Sequence, residues 1–336
     1  MGKLFRNRIK MQNKKYDVIG IGSPLMDFIV KVDDNMLAEM NLKKGEMHLI
    51  DPEKSREILK RLENHEVTTA PGGSAANTLA GVSVLGGNAA FLGKIGDDKH
   101  GDMYEQMTKD SGVHSRLGKK NKEKTGHTLA FITPDGERTF ATHLGASLHF
   151  RKDDIFEDEI KASKIIHFEG YQLEDPELKK TSLHAMEIAK NSNVMISIDL
   201  SDSALIKRNL KDLRELVQKY ADIIFVNENE AGAFTGKKEE DALHEIYDMC
   251  KIAVVKLGGR GSIIKSEDMI YRIPAYKTKV INTNGAGDIF AAGILYGIAN
   301  KWDMEKSGKT GSYAASLVVG QEEARLNQGV DLGKIQ

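Results

Sequence analysis

The stretch Val280–Ala299 reads VINTNGAGDIFAAGILYGIA: a β-branched pair, a polar turn, two glycines flanking an alanine, one aspartate, then an apolar helical run. The aspartate, Asp288, stands at the mouth of a helix that is hydrophobic all round and therefore buried. One reading is structural, with Asp288 as a helix cap and Gly-Ala-Gly as a tight turn. The other is chemical. Backbone amides of Gly285, Ala286 and Gly287 at a helix N-terminus form an anion hole. A carboxylate beside it can take the proton of an attacking hydroxyl. That pairing suits phosphoryl transfer, where charge spreads over the phosphate oxygens and little proton pull is needed. On this reading the helix dipole is expected to keep Asp288 ionised.

Outward from this stretch, strand-like runs alternate with amphipathic helices. The runs are Tyr16–Gly22, Ala89–Gly96, Ser163–Gly170, Asn193–Ser201, Ala221–Glu228 and Ile252–Gly259. Strands apolar on both faces and separated by helices predict an α/β fold with a mostly parallel central sheet flanked by helices. Two segments break the rhythm, at about 27–50 and 126–147, the second with hairpin chemistry at Pro134-Asp135-Gly136. They are expected to form a small antiparallel β lid over one edge of the main sheet.

In such sheets ligands bind at the carboxyl ends of the strands. After the first strand, GIGSPLMD lacks the third glycine and the helix of a dinucleotide loop, so a nicotinamide site is not expected. Asp27 there can accept hydrogen bonds from ligand hydroxyls, or is a turn carboxylate. Gly72 and Gly73 open a small-residue helix and allow close approach to a ligand, with Asn77 one turn in. A buried amide serving loop carbonyls is the alternative for Asn77. Asn227 and Glu230 are three apart at the start of another helix, so Glu230 can hold a hydrated Mg²⁺, complete a capping box, or do both. Gly258 and Gly261 in VVKLGGRGS fit either a nucleotide loop or a plain hairpin. Gly308-Lys309-Thr310 has no preceding strand and no glycine at Asp303, so it is no P-loop.

Composition limits the alternatives. With 48 Lys and Arg against 49 Asp and Glu in 336 residues, nothing points to nucleic acid or an anionic membrane as partner. No apolar run approaches the roughly 20 residues of a membrane span. One cysteine, Cys250, excludes a disulfide framework and suits a reducing cytoplasm. Residues 1–15 are basic without an apolar signal core and are expected to be a disordered arm ahead of one domain over 16–336.

The set PGGSAANTLAGVSVLGG, FLGKIGDDKHGD, NENE and NTNGAGDIFAAG resembles the ribokinase-like (PfkB) carbohydrate and nucleoside kinases, in order and spacing, from Tyr16 onward. The resemblance implies ATP-dependent phosphorylation of a hydroxymethyl group. It implies Asp288 as base, Gly285–Gly287 as anion hole, Asn227 and Glu230 organising phosphate and Mg²⁺ through water, and Asp27, Gly73 and Asn77 on the acceptor. GSPLMDFIVKVDDNMLAEMNLKKGEMHLID, THLGAS and HFEGYQL are most similar to the adenosine kinase branch. Adenosine is the implied acceptor, with a ribose, fructose or keto-deoxy sugar acid kinase as the alternative. Phe168 or Tyr171 can stack on a base, and a monomer or homodimer is expected. The family usually has Asp where this chain has Asn282, which puts a monovalent cation site beside the anion hole in doubt.

Overall fold

The apolar run at Tyr16 becomes strand β1 (Tyr16–Ile21), which passes through Gly22 directly into β2 (Leu25–Lys31) with no helix between. The computed structural model describes residues 14–326 and 329–335, so most of the basic arm lies outside the described residues. After β2 come α1 (Asp34–Glu39), β3 (Met47–Leu49), α2 (Pro52–Arg61) and β4 (Thr68–Pro71). Helix α3 (Ser74–Val84) then leads to β5 (Ala89–Gly96), α4 (Lys99–Asp110), β6 (His114–Lys120), and the hairpin β7 (Gly126–Ile132) and β8 (Arg138–His143). From there strand and helix alternate: α5 (Glu157–Lys161), β9 (Ser163–Glu169), α6 (Pro176–Asn191), β10 (Met195–Asp199), α7 (Ser203–Tyr220), β11 (Ile223–Asn227), α8 (Glu228–Thr235), α9 (Glu239–Tyr247) and β12 (Ile252–Lys256). The hairpin β13 (Ser262–Ser266) and β14 (Met269–Ile273) and the helices α10 (Ala286–Ala299) and α11 (Met304–Val319) complete the main body.

The nine-stranded sheet has the order β14-β13-β12-β11-β10-β9-β1-β5-β6. It is parallel from β12 to β6, and antiparallel only at the β12–β13–β14 edge. Helices cover both faces, so the central strands are buried throughout, as their unbroken apolar runs require.

The smaller sheet has the order β3-β8-β7-β2-β4. Antiparallel pairing holds at β7–β8 and β2–β4, as expected for a lid, but β2–β7 and β3–β8 run parallel. For β2 and β7 the reason lies in the main sheet. Strands β1 and β6 run the same way, and β2 and β7 continue from their carboxyl ends in a common direction. One face of this sheet buries Met26, Phe28, Val30, Leu129 and Phe131. The alternate residues Leu25, Asp27, Thr128, Phe140 and Thr142 face a cleft over the carboxyl edge of the main sheet.

Two helices aim their N-termini into that cleft, α3 after Gly73 (φ 91°) and α10 after Gly285 (φ 77°). They pack through small residues: a Cβ on Gly81 would stand 2.7 Å from the Ala292 Cβ. Gly308-Lys309-Thr310 lies inside α11, where Thr310 Oγ1 donates to Lys306 O, so it makes no phosphate loop.

Candidate active site

Register places four polar side chains in a row along the carboxyl edge. Asp199 ends β10 opposite Glu169 of β9, and Asn227 of β11 lies opposite Lys256 of β12. They border a cleft of about 820 Å³, roofed by the smaller sheet, which also takes in Asp27, Gly73, Asn77, Tyr171, Glu230, Gly285, Gly287 and Asp288. A second cavity of about 500 Å³ lies beside it, lined by Gly258, Gly261, Tyr276, Val280, Ala286, Ala315 and Val319. The two share Asn227, Lys256, Thr283 and Gly287.

Asp288 sits in the first turn of α10, at the floor of the larger cleft. Ser74 Oγ donates to its Oδ1 at 2.7 Å and Asn77 Nδ2 to its Oδ2 at 2.9 Å. Removal from water pushes its pKa up to about 7, although those two hydrogen bonds and Lys256 pull the other way. The helix dipole therefore does not keep this carboxylate strongly ionised, as the sequence led us to expect; desolvation outweighs it. Gly285 cannot be replaced, because a Cβ there would stand 2.2 Å from Ala324 O. Of the three expected anion-hole amides, Ala286 N–H already donates to Thr283 O at 3.3 Å. The other first-turn amides have no intrahelical acceptor.

Asn77 is fixed at both ends. Its Oδ1 accepts from Arg325 Nε at 2.8 Å, and Arg325 Nη2 donates to Gly72 O at 3.0 Å. Gly72 lies behind the cleft wall, where it also accepts from the Tyr104 hydroxyl at 2.8 Å. Asp27 packs on Gly72, where a Cβ would meet its Oδ1 at 2.2 Å. Burial pushes the Asp27 pKa up to about 7, with Arg325 and Arg138 opposing. The hydrogen bonds of the described residues include none to the Asp27 carboxylate, so its oxygens are open to a ligand in the cleft.

Asn227 and Glu230 form the capping box. Asn227 N–H donates to Glu230 Oε2 at 2.7 Å, Asn227 Nδ2 to Glu230 Oε1 at 2.5 Å, and Glu230 N–H to Asn227 Oδ1 at 2.9 Å. Burial pushes Glu230 up to about 7 against the pull of Lys256. Among the described residues no group of three or more His, Cys, Asp or Glu could hold a metal ion. Tyr171 lines the cleft, half-buried, whereas Phe168 is fully buried in the core and offers no stacking face.

A model of the pfkB family of carbohydrate kinases matches residues 38–328. The chain belongs to this family. It is 30% identical over 268 residues to a 5-dehydro-2-deoxygluconokinase of Listeria monocytogenes, covering 75% of this chain and 82% of that protein. Among solved structures, it is similar to an adenosine kinase from Sinorhizobium meliloti (TM-score 0.88, 35% identity, 95% of this chain and 97% of that one). It is equally similar to a probable sugar kinase from Rhizobium etli (TM-score 0.89, 33% identity, 94% and 96%). The protein is thus a sugar or nucleoside kinase, an enzyme on the α/β fold described above.

Several groups in the site of this pfkB kinase escaped the sequence. Ser74 is part of PGGSAAN and was readable there as a hydroxyl at a helix N-terminus. Asp199 and Lys256 look like ordinary strand ends, and their 2.6 Å ion pair exists only through sheet order. Arg325 is 248 residues from Asn77, with no local pattern to mark it. Asn282 is buried, donating to Glu322 O and accepting from Asn284 N–H at 2.8 Å. Its amide thereby ties the turn before α10 to the C-terminal segment.

Proposed function

We propose that this kinase transfers the γ-phosphoryl group of ATP to the 5′-hydroxyl of an uncharged nucleoside, with adenosine as first candidate. The observation that carries this reading is the make-up of the larger cleft. Beside the polar Asp27, Thr128 and Thr142, its roof presents Leu25, Met47, Leu49 and Phe140, with Leu144 and Leu148 next to them, and this apolar part suits a flat base. The cleft as a whole is lined by eight carboxylates, Asp27 of the roof included, against one lysine. A sugar acid would bring one more negative charge among them. At about 6 Å and an effective dielectric near 20, each pair in which both groups are ionised costs about 3 kcal/mol. The likeness to the Sinorhizobium adenosine kinase agrees with a nucleoside; the name of the Listeria relative favours the sugar-acid alternative.

The acceptor hydroxyl lies against Asp288, with Asp27 accepting hydrogen bonds from other acceptor hydroxyls. Asp288 takes the proton as the hydroxyl oxygen attacks. ATP occupies the smaller cavity, its phosphates reaching Gly287 across the shared wall and its base near Tyr276 and Val280, with Gly258 and Gly261 alongside. Magnesium would neutralise phosphate charge when bound with the nucleotide. Both Glu230 oxygens are engaged by Asn227, so Glu230 would act on the ion through water.

A screen of ADP release with adenosine, inosine, guanosine, cytidine, ribose, fructose and 5-dehydro-2-deoxygluconate tests the reading. We expect adenosine to give the highest kcat/KM. A sugar or the sugar acid turning over tenfold better than every nucleoside would overturn it.

A further inference from the structure

Among the described residues lining the cleft, Lys256 is the one side chain that carries a positive charge, and it stands in the wall common to both cavities. Its Nζ would lie 3.2 Å from a Cβ on Gly287, so the ammonium rests against the first turn of α10. The pair with Asp199 Oδ2 at 2.6 Å uses one of its three donors. Its side chain is 16% exposed, and Asp199, Glu230 and Asp288 all act on it. A lysine kept only to neutralise Asp199 has no need to press on a glycine at the seam between donor and acceptor. Gly287 has no side chain to separate this ammonium from whatever occupies the first-turn amides.

We infer that Lys256 is a catalytic residue whose ammonium contacts the transferring phosphoryl group, completing the anion hole with a point charge. In the step, the bond between the γ-phosphorus and the bridging oxygen breaks, and its electron pair leaves with ADP. The new bond forms from the acceptor oxygen to phosphorus, and the acceptor proton passes to Asp288. Lys256 stays protonated and gives up no proton. Its partner Asp199 holds the ammonium in place before ATP arrives. An always-charged donor fixed in a water-poor site acts on the transition state without reorganising, and removal of such a donor typically costs about 10²–10³ in kcat. The inference rests on the kinase activity and on the placement of ATP in the smaller cavity, and does not depend on which acceptor is correct.

The experiment compares the full chain with Lys256→Met, Lys256→Arg and the double variant Asp199→Asn/Lys256→Met. The double variant removes the carboxylate that Met would leave unpaired, so it separates catalysis from folding. Titration calorimetry with ADP and with the imido analogue of ATP, without acceptor, gives a readout independent of turnover and of acceptor identity. We expect kcat to fall about 10²–10³-fold in both Met-bearing variants, with acceptor KM changed less than threefold. We expect the analogue to lose at least tenfold in affinity while ADP loses less than threefold, and Lys256→Arg to retain more activity than Lys256→Met. A double variant that folds and turns over within threefold of the parent, or that loses ADP and analogue affinity equally, would overturn the assignment.

Discussion

Replacing Asp288 by Asn separates a catalytic base from a helix cap, because the site can accept the amide. In the parent, Ser74 Oγ and Asn77 Nδ2 both donate to the carboxylate. In the Asp288→Asn variant the new amide would turn its carbonyl to Asn77 and its NH₂ to Ser74. The serine hydroxyl can rotate and accept, so no donor is left facing a donor. Binding should therefore survive while turnover falls by about 10²–10⁴-fold, or about 3–5 kcal/mol in the barrier. Stability gives a second, opposite signal. A carboxyl raised from 3.8 to about 7 corresponds to about 4 kcal/mol as an upper bound, and to about 1–2 kcal/mol after allowance for its half-buried position. The folded carboxyl keeps its proton between about pH 4 and 7, while the unfolded one has lost it. The parent thus loses stability as pH rises through that window, and the Asp288→Asn variant does not share the loss. Urea unfolding at pH 8 should find the variant equal to or more stable than the parent, with the difference shrinking by pH 5. Steady-state kinetics with acceptor and ATP binding by calorimetry complete the assay. Near-parental kcat, or a variant that is less stable at pH 8 than the parent, would return Asp288 to a cap.

The pKa of Asp288 also sets the pH profile: kcat/KM should rise with an apparent pKa near 7 and fall tenfold per unit below it, and a flat profile from pH 5.5 to 8 would exclude Asp288 as the base. Glu230→Gln keeps an acceptor for Asn227 N–H, so the capping box should persist while half-maximal activation moves to severalfold higher Mg²⁺; an unchanged metal titration would leave Glu230 only its capping role. Asn282→Asp replaces a donor to Glu322 O with a carboxylate facing a carbonyl, so activity and melting temperature should become dependent on K⁺ relative to a large inert cation, whereas the parent should show little dependence. Strong saturable K⁺ activation of the parent would refute this. Arg325→Ala frees the Asn77 amide, so kcat should fall about tenfold with a shifted pH profile and little change in ATP affinity, and Arg325→Lys should restore part of it; a loss of stability with kcat and pH profile intact would make Arg325 purely structural.

Periodicity and glycine placement determined much of this protein. Apolar runs too short for helices, split by amphipathic segments, leave a parallel α/β sheet as the arrangement that buries them, and it forms from β12 to β6. Gly73 and Gly285 could be read as helix entrances because glycine takes a positive φ at a helix start without strain, as both do here. The capping box of Asn227 and Glu230 was legible for the same reason, being complete within four consecutive residues. Tertiary structure decided what depends on distance along the chain. The direction of β2 beside β7 follows from β1 and β6 being parallel in another sheet. The ion pair of Asp199 and Lys256 follows from β10, β11 and β12 lying side by side, and Arg325 reaches Asn77 from the far end of the chain. The ionisation of Asp288 was misjudged from sequence because the helix dipole is a local property visible in the motif. Desolvation is the sum of everything folded around a carboxylate, and no local stretch contains that sum.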